Sequence, residues 1–263
     1  MSQNILGYTI QKTLFSNGRT LVQRAIREAD NGSVILKRIE SVHPSFGQLQ
    51  RFLFCYDVAK RFDHPNIVKV IDYIEEGHEP VMVIEDSHSV DLHQYVKGFP
   101  SNQLTLERFL AIATQLAEAL SVIHHEQVIH KDLHPGNILI NPKSGQVTII
   151  DFGLASLLSR EQPSLVLPEK LEGVLSYISP EQTGRMNRAL DYRTDFYTLG
   201  VTFYELLTGQ LPFSADDALG MVHAHIAKKH LPAVSLRSEL PDIVSDIIDK
   251  LLSKTAEERY QSA

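Results

Sequence analysis

Three oxygen-bearing side chains and one lysine stand out by type and spacing. Asp132 and Asn137 lie five residues apart in His130-Lys131-Asp132-Leu133-His134-Pro135-Gly136-Asn137, where proline and glycine break any regular element. Fourteen residues further on, Asp151 follows the apolar run 147–150 and precedes Phe152-Gly153. Upstream, Val34-Ile35-Leu36-Lys37 closes an apolar strand with a lysine. Alone, an Asp or Asn in a turn is a turn former. Together the four match the needs of phosphoryl transfer. One carboxylate accepts or orients a hydroxyl proton, an amide and a second carboxylate hold Mg²⁺, and a lysine neutralises phosphate oxygens. Mg²⁺ takes hard oxygen ligands and few protein groups, which suits Asn137 and Asp151.

The elements that would position these residues change character along the chain. Residues 8–15, 19–26 and 33–39 are rich in branched and aromatic side chains and are separated by Asn17-Gly18 and Asn31-Gly32, so the chain opens as an antiparallel meander. A helix over about 49–62 follows, ended by His64-Pro65-Asn66. Strand-like runs at 67–73 and 80–85 come next, with a turn at Glu75-Glu76-Gly77. Past residue 100, Phe109, Ile112, Ala113, Leu116, Leu120 and Ile123 recur at helical spacing behind Thr105, a plausible N-cap. Short strands at 138–140 and 147–150 flank Asn141-Pro142-Lys143-Ser144-Gly145. From Asp195 on, the pattern is helical. One helix ends at Gly209, another starts at the box Ser214-Ala215-Asp216-Asp217, and a third follows Pro241. Strands first and helices last predict an α+β chain, with a small β-rich part joined near 85–91 to a larger helical part.

Bulk composition narrows the setting. The 263 residues, 43% hydrophobic, can bury a sizeable core. No apolar run is long enough to cross a bilayer, and residues 1–30 lack a signal-peptide pattern. Cys55 is the single cysteine, which excludes an internal disulfide and favours a reducing compartment. A net charge of −7 argues against nucleic acid as a partner. The expectation is a cytoplasmic protein with neither a membrane nor a nucleic-acid partner.

The four segments around Lys37, Asp132, Asp151 and Ser179-Pro180-Glu181 follow, in order and spacing, the signatures V-A-I-K, H-R-D-L-x-x-x-N, D-F-G and A-P-E. From about Tyr8 to its end the chain resembles the protein kinase superfamily, in particular eukaryotic-like serine/threonine kinase domains. The tail 173–188 resembles the kinase module at the front of large bacterial hybrid sensor proteins, which implies an N-terminal piece of a longer chain with further modules downstream and an incomplete last helix. The resemblance implies a bilobal protein-kinase fold, with an N-lobe over 1–86 carrying one main helix and a mainly helical C-lobe over 87–263. It implies ATP and Mg²⁺ as cofactors and a protein Ser/Thr hydroxyl as acceptor, in bacterial signalling. Position by position, Asp132 is the catalytic acid/base, Lys37 the phosphate lysine, and Asn137 and Asp151 the metal ligands. Ile84 matches the gatekeeper, Glu85 and Ser87 the backbone contacts to adenine, and Asp91 a ribose contact. Val22 and Leu139 sandwich the adenine ring, and Ile35 narrows its pocket. Glu181 pairs with Arg259, and Asp195 braces the catalytic loop. Ser156, Ser159, Ser164 and Ser176 are candidate phosphosites in the segment 151–181.

Five features depart from that pattern. The phosphate-loop glycines fall on Phe15, Asn17 and Thr20, with only Gly18 nearby, so side chains hinder backbone approach to phosphate. Ile35 replaces the usual alanine. Cys55 stands where the helix glutamate partner of Lys37 belongs, and Asp57 lies roughly 200° around the helix from it. Lys131 replaces an arginine and gives up bidentate phosphate recognition. His134 and Val174 replace the lysine and threonine that bond each other in serine/threonine kinases. Both ends of that interaction are changed, so control by activation-loop phosphorylation is not expected.

Blander readings remain beside these. His124, His125, His130 and His134 could suggest zinc, but Pro135 breaks any helix that would align the last pair. His130 reads as a packing residue under the loop, Cys55 as a small semi-buried hydrophobe, and the serines as solvated loop residues. Three functional classes stay open: an active serine/threonine kinase, a nucleotide-binding regulatory module of pseudokinase type, and a small-molecule phosphotransferase, since Asp-Leu-His-Pro-Gly-Asn also resembles antibiotic and choline kinases. Ser179-Pro180-Glu181, the run 194–200 and Glu258-Arg259-Tyr260 favour protein kinases over the last.

Overall fold

The computed structural model describes residues 4–5, 7–41, 43–76, 79–161, 174–186 and 188–263. They group into two compact units, Met1–Ser89 with Asp151–Gly153, and Val90–Ile150 with Leu154–Ala263. Among the described residues no helix is long and apolar enough to cross a membrane.

Period-two alternation builds the first unit. Strands β1 (Asn4–Ile5), β2 (Tyr8–Ser16), β3 (Thr20–Arg27), β4 (Gly32–Ile39), β5 (Val70–Glu76) and β6 (Glu79–Glu85) form one sheet in the order β1-β2-β3-β4-β6-β5. Every pairing is antiparallel. Ala25, Val34, Leu36, Val81 and Val83 share one face and pack with Ile5 and Tyr8 into a small core. The register sets Val22 opposite Lys37, Ile35 opposite Ile84 and Lys37 opposite Met82. Side chains alternate along each strand, so these residues share the other face.

Helix α1 (Phe46–Ala59) starts three residues earlier than the sequence pattern suggests, because Ser45 and Gln48 form a reciprocal capping box. Its buried residues are Phe52, Cys55, Val58 and Ala59. β5 begins later than predicted, at Val70, and of the expected turn Glu75-Glu76-Gly77 the first two residues belong to β5 while Gly77 lies outside the described residues.

In the second unit, β7 (Val90–Asp91), β9 (Ile138–Ile140) and β10 (Val147–Ile149) make a three-stranded sheet, and β8 (Val128–Ile129) pairs with β11 (Ser156–Leu157). Helix α2 (Leu92–Val96) had no legible period. Helix α3 (Leu106–His125) is capped by Thr105 and buries Phe109, Ile112, Leu116, Ala119, Leu120 and Ile123. Helix α4 (Arg193–Thr208) is buried over nearly its whole length and ends at Gly209 in the left-handed region (φ 69°). A Cβ there would lie 2.3 Å from the Ser101 carbonyl oxygen, so glycine is required on two counts.

The expected start of the next helix at Ser214 is wrong. Helix α5 (Ala218–Ala227) begins after Asp217, whose carboxylate accepts the Gly220 amide at 2.6 Å. Phe213 is buried against His225, and residues 214–217 between Phe213 and the helix are not helical. Helices α6 (Ala233–Leu236) and α7 (Asp242–Leu251) complete the unit, the latter directly after Pro241.

Candidate functional site

Within the first unit, Lys37 and Asp151 meet although 114 residues separate them. The Lys37 Nζ lies 2.7 Å from Asp151 Oδ1, which also accepts the Gly153 amide at 3.0 Å. Lys37 sits inside β4 rather than at its end, since the strand runs on to Ile39. Burial pulls its pKa down, but the charge of Asp151 and the hydrogen bond to it outweigh that, and the ammonium is held above its ordinary value. Asp151 adopts a left-handed backbone (φ 65°), costly for a non-glycine residue and most often kept at functional sites. Phe152 is buried and stacks on Phe62 at 5.3 Å between ring centroids, which anchors the turn to the segment that follows α1.

Cys55 is buried and its thiol is pushed up by burial, with the Lys37 charge acting against that. Asp57 pairs instead with Lys60 on the exposed side of α1. Lys37 therefore has Asp151, not a carboxylate of α1, as its ion-pair partner.

The hairpin between β2 and β3 is the expected phosphate loop. Ser16 donates to both Glu40 oxygens at 2.7 and 2.9 Å, and the Gly18 amide donates to Oε2 at 2.8 Å. The amides of Arg19 and Thr20 donate to Asn17 Oδ1. The amides at the tip are thus already bonded, those of Arg19 and Thr20 within the hairpin and that of Gly18 to Glu40 beyond β4. Phe15 is exposed.

After β6, Asp86 is nearly fully buried and takes a two-pronged bond from Arg24 at 2.6 and 3.1 Å and another from Ser33 at 2.6 Å. This clasp ties the segment carrying Glu85 and Ser87 to β3 and β4. Glu85 donates its amide to the Lys69 carbonyl, and the Ser87 hydroxyl donates to Ser89.

The second unit holds the other half of the candidate set. Asp195, fully buried in the first turn of α4, accepts the amides of His130 and Lys131 at 2.9 and 2.7 Å, and His124 Nε2 at 2.9 Å. Burial alone would raise its pKa, but these bonds hold the carboxyl below its ordinary value. The loop it braces has Lys131 at φ 69°. Lys131 forms an ion pair with Glu161, and its carbonyl accepts Gln182 Nε2 at 2.8 Å. His130 is fully buried, with its ring on the Ile150 carbonyl at 3.0 Å.

Asn137 Nδ2 donates to the Asp132 carbonyl at 2.9 Å and to its Oδ2 at 2.8 Å. With both bonds made through nitrogen, the Asn137 oxygen remains the hard donor that Mg²⁺ favours. Asp91 caps α2, accepting the Gln94 amide at 2.7 Å, and stands opposite Leu139 in the register of β7 and β9. Glu181 and Arg259 form a buried two-pronged pair at 2.6 and 2.9 Å.

Of the candidate phosphosites, Ser156 and Ser176 are half-buried and Ser159 exposed, while Ser164 lies outside the described residues. Among the described residues no group of three or more His, Cys, Asp or Glu could hold a metal ion. Glu161, Gln182, Glu40 and the clasp on Asp86 escaped sequence reasoning. Each acts through a partner remote in sequence, and no local pattern marks such a pair.

A sheet-rich unit with one long helix, a helical unit with a braced Asp–Asn loop, and a lysine paired to the Asp of Asp-Phe-Gly define a kinase-type phosphotransferase fold. The model of the protein kinase domain matches residues 8–263, and the chain belongs to that family. It is similar to the serine/threonine-protein kinase PknA of Mycobacterium tuberculosis, with 31% identity over 97% of this chain and 58% of the relative. It is also similar to PrkC of Bacillus subtilis (31%, 82% of this chain, 32% of the relative) and to pkn3 of Myxococcus xanthus (31%, 97% and 48%). The chain spans between 35% and 38% of the length of three further curated relatives.

Proposed function

We propose that this chain is a bacterial serine/threonine protein kinase that moves the γ-phosphoryl group of Mg-ATP to a protein hydroxyl. The observation that carries the reading is the hydrogen bond from Asn137 to the Asp132 carboxylate, in a loop fixed from below by Asp195. That arrangement holds the Asp132 carboxylate in one orientation, as a proton acceptor must be held. Lys37 neutralises phosphate oxygens, and Asn137 and Asp151 would hold Mg²⁺, whose chemistry is to screen charge on the transferred group. Val22, Ile35, Glu85, Ser87, Asp91 and Leu139 would line the nucleotide. The kinase names of its relatives support the acceptor class.

A second reading, a nucleotide-binding regulatory module, is favoured by the bonded hairpin tip and by Cys55. Incubation with Mg-ATP and generic proteins, with phosphosites located by mass spectrometry and Asp151→Asn alongside, separates the two. Phosphoserine or phosphothreonine that vanishes in the variant supports the kinase. Nucleotide-induced thermal stabilisation without transfer supports the regulatory module, and phosphate appearing only on small alcohols overturns both.

A further inference from the structure

We infer that His134 is a positioning residue for Asp132, an imidazole locked in one tautomer that presents Nε2–H to the carboxylate. The inference rests on the reading of Asp132 as the proton acceptor. It begins with the Gly136 amide, which donates to His134 Nδ1 at 3.1 Å. A backbone N–H can only donate, so Nδ1 is the unprotonated nitrogen and a neutral ring carries its hydrogen on Nε2. That nitrogen faces Asp132 Oδ2 at 3.7 Å. Bonds of this kind are often long without substrate and tighten in the reacting complex.

The ring has little freedom to turn away. Its side chain is 15% exposed, and it packs on Tyr177 at 5.5 Å between centroids. Tyr177 is itself buried and donates to Glu205 of α4 at 2.5 Å. A Cβ on Gly136 would lie 2.8 Å from His134 Cε1, closer than real contacts allow. Glycine at 136 and histidine at 134 are thus one device, and the adjoining Leu133 carbonyl is pinned by Thr202 at 3.0 Å.

The consequence is a division of labour within one carboxylate. Asn137 bonds Oδ2 and His134 faces the same oxygen. Among the described residues Oδ1 accepts no hydrogen bond, and it is the oxygen left to take the acceptor's proton. Lysine at this position would bring a flexible point charge; the packed imidazole brings a donor held in one place.

Two substitutions and one spectroscopic measurement test this. His134→Asn keeps an acceptor for the Gly136 amide but has no donor that reaches Asp132. It should lower kcat on the order of 10²-fold with KM for ATP unchanged, as expected for a misplaced catalytic group. His134→Gln can put an amide donor near the Nε2 position and should recover part of that loss. In ¹⁵N NMR of the wild type, Nε2 should be protonated and Nδ1 not, and Asp132→Asn should shift the Nε2 resonance. A wild-type kcat in His134→Asn, equal losses in both variants, or a proton on Nδ1 would overturn the inference. If the wild type transfers no phosphate, the proposed function fails, while the tautomer and its response to Asp132→Asn still decide the role of His134.

Discussion

At Lys37, burial and charge pull in opposite directions, and the charge wins because Asp151 lies within hydrogen-bonding distance. Lys37→Met removes the ammonium that would neutralise phosphate oxygens, and we expect Mg-ATP affinity, read by calorimetry, to drop by tenfold or more, on the order of 1.4 kcal/mol. Unchanged affinity would contradict the role given to this lysine. The adjacent thiol makes a separate prediction. Cys55 is buried and held in its unreactive thiol form, so a thiol reagent should label it only at the rate the protein opens. Rapid stoichiometric labelling of the native protein would show that α1 does not pack as described. The candidate residues were legible because Lys37, Asp132, Asn137 and Asp151 fall in four recognisable local patterns. What Lys37 pairs with was not legible, since a contact between residues 114 positions apart is decided by the fold.

Helix starts show which local signals can be trusted. Thr105 and Pro241 mark the starts of α3 and α7 because each is followed directly by an apolar period that has a surface to bury. The Ser214 box fails because a better cap, Asp217, lies three residues on, while Phe213 is committed to the core. The Ser45 box of α1 was missed because Phe46-Gly47 does not look like a first helical turn, and Phe46 is in fact 74% exposed. Ser45→Ala removes the oxygen that accepts the Gln48 amide and should lower stability by about 1 kcal/mol in chemical denaturation. A loss below the error of that measurement would mean that packing alone fixes the helix start. Breaking the Glu181–Arg259 pair should cost far more. Arg259→Met leaves a buried carboxylate uncompensated and should destabilise by about 3–5 kcal/mol.

For the molecule as a whole, the strands-then-helices order was readable from the change in period near residue 100. It was not readable that Asp151–Gly153 groups with the first unit while the residues on both sides belong to the second. Acid stability is a property at this scale. His225 is fully buried on α5, bonded to Tyr197 at 3.0 Å and close to Lys254, and its pKa falls from 6.5 to about 4 through burial first and the Lys254 charge second. The folded ring stays neutral while the unfolded one takes up a proton. Its contribution is therefore present above about pH 6.5 and is lost as pH falls towards 4, by up to about 3 kcal/mol. Asp195, also held below its ordinary value, adds loss of the same sign at lower pH. Denaturation curves at pH 7 and pH 5 should show a smaller difference in His225→Gln than in the wild type, and equal differences would exclude His225 as the cause.

Single-turnover transfer from saturating Mg-ATP to a protein acceptor, compared between the wild type and Asp132→Asn after nucleotide binding has been matched, tests the central claim most directly. The wild type should place phosphate on Ser or Thr. The variant should bind nucleotide as well but transfer it on the order of 10² to 10⁴ times more slowly. Equal rates in the two, or a wild type that binds Mg-ATP and transfers nothing, would contradict the account.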